Sequence, residues 1–410
     1  MKGLQNYPRE VKVFLVASLI NSAGGSLMWP LITMFIFKEM GRSMTDAGLV
    51  ILVQNIGGIA GQILGGALYH RVGVKRLIVG SLVFNAAGLL FLPYGAADWH
   101  VFMGLMLIIG FTNAMSMPAI QAFIGFRFTQ KRAEMFNVVY VANNIGVALG
   151  TALSGVLARI SYHLSFMANG ATSLVFALFF FAYLSRVERE QGDLKVGRRS
   201  KSTSGHRPLE LLSDYRVYLF MGVGSLFLWL ANSIWNNGVS PYTITMGMPE
   251  WRYSILWTLN GVLIFAAQPL VSWIRRLCAE TPQRQMLASG VFYLLAYICI
   301  LAFHSYSAMA FAMVLATIGE MLISPAIPAF ISEHTGKTAP FYLGLVGGMG
   351  FAGRVVGPYA MGVLYDWGGL TPVAWLAVVI AVLTIAGFAV HASINRDRQA
   401  LEDQYAFGGE

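Results

Sequence analysis

Two side chains stand where chemistry is costly. Glu320 lies in TIGEMLISPAIPAF and Arg354 in GFAGRVVGPYAMGVL, and each is the sole charge in a long apolar run. A guanidinium keeps its proton in a protein, so Arg354 is charged wherever it sits, whereas a carboxylate can take up or release a proton. At the centre of a membrane helix each charge costs roughly 2.5–3.5 kcal/mol on insertion scales. The runs are consecutive, so antiparallel neighbours can bring the two together and cancel much of that cost. Two readings follow. One is a static ion pair that clips the two helices. The other is a Glu320 that titrates or binds a ligand, with Arg354 tuning it.

The surrounding chain must be a membrane protein. Its 410 residues are 56% hydrophobic and 11% charged. Charges cluster, and the stretches between clusters reach the roughly 20 residues that span a bilayer. Spans are expected near 13–37, 47–69, 77–97, 101–126, 135–158, 164–185, 217–243, 253–274, 285–303, 308–331, 341–365 and 372–391. With the N-terminus inside, most Lys and Arg fall on the cytoplasmic side, as topology rules require. The net charge of +9 therefore reports orientation and attraction to the inner leaflet, not nucleic acid. Cys278 and Cys299 lie at different depths, so neither a disulfide nor a metal site is expected. There is no phosphate-binding loop of the Gly-x-x-x-x-Gly-Lys-Ser/Thr form, which excludes direct use of ATP.

The chain divides in the middle. Residues 1–185 form a first six-helix bundle, 186–216 a polar cytoplasmic linker, 217–391 a second bundle and 392–410 a cytoplasmic tail. The halves repeat. NAMSMPAIQAF (113–123) matches EMLISPAIPAF (320–330), and GVALGTALSGVL (146–157) matches GRVVGPYAMGVL (353–364), both shifted by 207 positions. NSAGGSLMWP (21–30) and NSIWNNGVSP (232–241) align at 211. In this register Glu320 replaces Asn113 and Arg354 replaces Val147, so the charges belong to the second half alone. A parallel repeat of six-helix halves places a ligand site at the repeat interface.

The loop GALYHRVGVK (66–75) completes the pattern. With it the chain resembles the major facilitator superfamily: all-α, twelve transmembrane helices in two pseudo-symmetric six-helix bundles. Gly66, Arg71, Gly73 and Lys75 match the family's loop motif, with His70 in place of an acid. TIGEMLISP and YVANNIGVALG resemble bacterial twelve-helix multidrug efflux proteins, the drug–proton antiporters. The span-four arginine of those antiporters is absent, and Gly150-Thr151 stands where span five usually ends in Gly-Pro. The Gly-Pro occurs in span eleven instead, as Gly357-Pro358.

The resemblance implies a conformational set of Gly66, His70, Arg71, Gly73, Lys75, Gly353, Gly357 and Pro358. Proton coupling through Glu320 and Arg354 is expected from the two intramembrane charges themselves. The resemblance also implies a cavity wall of Asn21, Trp29, Asn113, Met117, Gln121, Tyr140, Asn143, Asn232, Trp235, Asn236, Tyr242 and Met321. Amides, methionines and aromatics suit large, partly apolar ligands; the alternative is that the amides only bond helix to helix. The expected activity is proton-coupled export of amphipathic or cationic small molecules by a monomer, with no cofactor, metal or nucleic acid. Protons, a small-molecule substrate and lipids are its partners. The expected place is the bacterial inner membrane, with both termini cytoplasmic. Alternatives are a carrier of an organic anion, siderophore or lipid headgroup bound by Arg354, and a non-transporting sensor on the same fold.

Overall fold

The computed structural model describes residues 9–28, 31–42, 44–190 and 216–407. All regular elements among them are helical. In hydrocarbon a peptide group has no water to bond, so a helix that satisfies its own backbone is the stable way to cross. Eleven helical stretches are long and apolar enough to do so, and a bent pair supplies a twelfth. The chain is a multi-pass membrane protein.

The described residues form two compact units. The first holds those up to Glu190 together with Ile331–Gly344; the second holds Arg216–Phe330 and the residues from Leu345 onward. In the first unit are α1 (Arg9–Met28), α2 (Leu31–Lys38), α3 (Met44–Val72), α4 (Val74–Gly95), α5 (Trp99–Arg127), α6 (Arg132–Ile160) and α7 (Tyr162–Glu190). Helix α3 packs on α5 through glycine. A Cβ on Gly57, Gly61 or Gly65 would run into the backbone of Leu107, Phe111 or Met115, so the missing side chains set the approach. Phe35, Phe102 and Phe166 anchor a core at one end, with Phe35 edge-on to Phe166 at 5.0 Å between centroids. Asp98 caps α5 by accepting the N–H groups of His100 at 2.7 Å and Val101 at 3.0 Å. Those two donors hold its carboxyl below the usual value.

The second unit contains α8 (Arg216–Asn232), a π turn (Trp235–Val239), α9 (Ser240–Thr245), α10 (Glu250–Ala266), α11 (Gln268–Cys278) and α12 (Pro282–Ala302). It also contains α13 (Tyr306–His334) up to Phe330, α14 (Ala339–Gly368) from Leu345, and α15 (Leu370–Phe407). Gly353 and Gly357 of α14 lie against the carbonyls of Leu226 and Leu230 on α8. In the first unit Gly146 and Gly150 of α6 lie against the carbonyls of Leu19 and Ala23 on α1. All four pairs obey the shift of 207. The sequence alignment of spans one and seven at 211 is therefore displaced by about one helical turn from the packing register.

Several expected boundaries change. Span one is two helices, α1 and α2, and Trp29 between them lies outside the described residues. Span seven is interrupted by the π turn just before Pro241, whose ring nitrogen cannot continue the ladder. Span eight is broken: α10 and α11 meet at 65°. The break falls at Ala267, two residues before Pro269, which has no N–H for the Phe265 carbonyl, and the Gln268 side-chain amide donates back to the Ile264 carbonyl at 2.8 Å. The last helix runs on through Phe407, past the expected end at 391. Helix α7 runs to Glu190, past the expected start of the linker at 186, and residues 191–215 of that linker lie outside the described residues.

Candidate functional site

Glu320 sits in the middle of α13, one turn beyond Thr317. Asn260 on α10 faces both. Its Nδ2 donates to Thr317 Oγ1 at 3.0 Å and to Glu320 Oε2 at 3.2 Å. The Thr317 hydroxyl donates in turn to the Met313 carbonyl at 2.7 Å, which leaves its oxygen as the acceptor for the amide. The carboxylate is thus aimed by a neutral donor on a neighbouring helix, with part of its surface open. Gly319 beside it admits the ring of Tyr293 from α12, since a Cβ there would press on that ring at 3.0 Å.

Arg354 lies on α14 with its guanidinium carbon 3.7 Å from the centroid of the Trp229 ring on α8 and 5.4 Å from that of Phe351. A cation over an indole face is attracted by the ring quadrupole, by about 0.5–1 kcal/mol at an exposed site and more where water is excluded. Room for the indole comes from Gly350, whose Cβ would sit 3.1 Å from Trp229 Cδ1. The first half carries Val147 and Ser22 at the twin positions, so both the charge and the ring are peculiar to the second half. Glu320, Tyr293 and Arg354 lie within electrostatic reach of one another. Five helices of one unit therefore build one centre: a carboxylate held by an amide, and a guanidinium seated on an aromatic floor.

Other expected wall residues are dispersed. Trp235 is 1% exposed and Met321 0%, so both are packing residues here and present no surface to a ligand. Tyr242 donates to the His304 carbonyl at 2.9 Å, tying the helix end to a loop. Asn236 accepts from Tyr253 Oη at 2.8 Å and helps line a cavity of about 280 Å³ with Asn237, Ser240, Tyr365 and Asp366. Asn232 is partly buried at the end of α8. In the first unit Asn143 accepts from Ser18 at 2.6 Å, and Met117 sulfur accepts from Gln62 at 3.5 Å. Asn113 is exposed, while Asn21, Gln121 and Tyr140 are half-buried.

The loop motif is organised within the first unit. Gly73 turns the chain between α3 and α4 with φ at 89°, a conformation that disfavours side chains. Gly66 meets the Pro340 carbonyl, and His70 Nε2 bonds the Lys337 carbonyl. Lys75 lies over the Phe181 ring at 4.9 Å, and Arg71 is exposed. Pro358 interrupts the backbone bonds of α14 one turn past Arg354.

Trp229 and Asn260, the direct partners of the two charges, were not among the expected site residues. Aligning spans one and seven at 207 would have set Trp229 opposite Ser22 and exposed the paired change.

Paired helical units with ionisable groups held at mid-span are the build of a carrier that moves solute through a bilayer, not of an enzyme. A family model described as Major Facilitator Superfamily matches residues 14–282 and 281–404. The chain belongs to that superfamily and is a transporter. It is 32% identical over 380 residues to the uncharacterized MFS-type transporter YttB of Bacillus subtilis, covering 92% of this chain and 94% of that one. It is 24% identical over 394 residues to the quinolone resistance protein NorA of Staphylococcus aureus, covering 93% and 95%. Among solved structures, the human organic anion transporter MFSD10 superposes with TM-score 0.70 at 14% identity, covering 94% of this chain and 100% of that one. The transporter FucP in the outward conformation gives 0.67 at 16%, covering 93% and 99%. At these identities the structures share the fold.

Proposed function

We propose that the chain is a proton-coupled exporter of amphipathic or cationic small molecules in the bacterial cytoplasmic membrane, with both termini inside. The observation that carries the reading is the partly open Glu320 carboxylate, held by Asn260 at mid-span. Such a carboxylate serves a proton and an organic cation alternately, because each neutralises the same charge and excludes the other. Arg354, fixed on Trp229, keeps a permanent positive charge nearby that opposes a second cation and favours release. Similarity to a quinolone resistance protein supports a drug-like substrate.

The test is ethidium transport in proteoliposomes under an imposed pH gradient. Glu320→Gln keeps the shape and the Asn260 hydrogen bond but cannot exchange a proton. It should lose gradient-driven transport by about tenfold or more, a barrier change of about 1.4 kcal/mol. Gradient-driven transport by Glu320→Gln at the wild-type rate would refute the reading.

A second reading is favoured by one observation. Arg354 is exposed, and stacking occupies only a face of its guanidinium, which leaves the N–H edge for a carboxylate. An anion carrier built this way would lose substrate binding in Arg354→Ala and keep it in Glu320→Gln. The exporter has the opposite pattern.

A further inference from the structure

A second arginine reaches α13 next to Glu320. In a regular helix the Met321 carbonyl accepts the N–H of residue 325, four positions on. That residue is Pro325, which has none. The Met321 carbonyl instead accepts from Arg275 Nη2 at 2.8 Å. Arg275 belongs to α11, the short helix beyond the 65° break in span eight. Without that break an arginine at this position would continue along the axis of α10. The break at Ala267 that turns α11 is therefore what brings the guanidinium to the gap in α13.

We propose that Arg275 is a positioning residue for transport: it supplies the hydrogen-bond donor that Pro325 removes, and so ties α13 beside Glu320 to the broken end of span eight. The two irregularities complement each other, one helix lacking a donor and the other delivering one. Met321 is fully buried, so water cannot take over the bond without the helices parting. The contact couples the tilt of the segment of α13 that follows it, from Leu322 to Phe330, to movement of α11. Because Glu320 is the residue before the bonded carbonyl, whatever Glu320 binds is felt at Arg275. This goes beyond the exporter reading and does not depend on which substrate is carried.

The measurement is hydrogen–deuterium exchange on the full chain in nanodiscs, comparing wild type, Arg275→Ala, Arg275→Lys, Pro325→Ala and the double variant R275A/P325A. Arg275→Ala should speed exchange of the amides from Leu322 to Phe330 by about fivefold or more, as local opening becomes easier. Arg275→Lys, which keeps a charged donor, should stay near wild type. Pro325→Ala returns an N–H to the Met321 carbonyl, so the double variant should exchange like Pro325→Ala alone. Ethidium transport is measured in parallel, with Arg275→Ala lowering turnover more than it raises KM and the double variant recovering. If wild type carries no ethidium, the exporter reading fails while the exchange data still decide this proposal. Unchanged exchange in Arg275→Ala, or a double variant as loose as Arg275→Ala, would overturn it.

Discussion

Glu320 and Arg354 each meet a partner that only the folded chain reveals, and the partners differ in kind. Asn260 gives Glu320 a hydrogen bond that holds its position without fixing its charge. Trp229 gives Arg354 an attraction that does not neutralise it. Replacing Trp229 by Ala should reduce stability by about 0.5–2 kcal/mol through loss of the cation–π contact. The loss should shrink when Arg354 is already Leu. Thermal melts of the two single variants and the double variant check this, and additive effects would rule the contact out as a stabiliser. Asn260→Ala should lower ethidium transport severalfold while leaving the melting temperature close to wild type, because the carboxylate loses its aim rather than the helix its packing. The charges were legible in the sequence because they interrupt apolar runs. Their partners were not, since an indole or an amide in a membrane helix resembles many others until the register of span seven is known.

At the scale of helices, glycine contacts make a sharp contrast. Gly353 faces the Leu226 carbonyl and backbone, whereas Gly362, farther along the same helix, has nothing within 4 Å of where a Cβ would stand. Gly353→Val should force α14 off α8 and cost about 1–3 kcal/mol. Gly362→Ala should be neutral or stabilising, since alanine orders a helix better by about 0.5–1 kcal/mol. Thermal unfolding in one detergent compares them directly. Asp98 offers a pH-dependent case outside the spans. Its carboxyl is held low by the N–H groups it caps, so the cap contributes stability above the ordinary carboxylate value and loses it as pH falls through the depressed one. Asp98→Ala should therefore lower the melting temperature at neutral pH, with the difference closing in acid. The twelve-span layout was readable from length and hydropathy. The break at Ala267 and the π turn at Trp235–Val239 were not, because proline marks where a helix is weakened but not how far it bends.

For the molecule as a whole, the repeat explains why one unit carries the charged centre. Both halves keep the glycine contacts that set helix approach, shifted by 207 positions, and the scaffold stands without charge in the first. What the second half adds is Glu320, Arg354, Trp229 and room for the indole at Gly350. The proposed competition is between a transported cation and a proton for Glu320. Its most direct measurement is proton release from the purified, weakly buffered protein when tetraphenylphosphonium is added. Wild type should release protons in step with binding, and Glu320→Gln should release none. Equal release from both, or cation binding to wild type with no proton release at any pH between 5 and 9, would contradict the account.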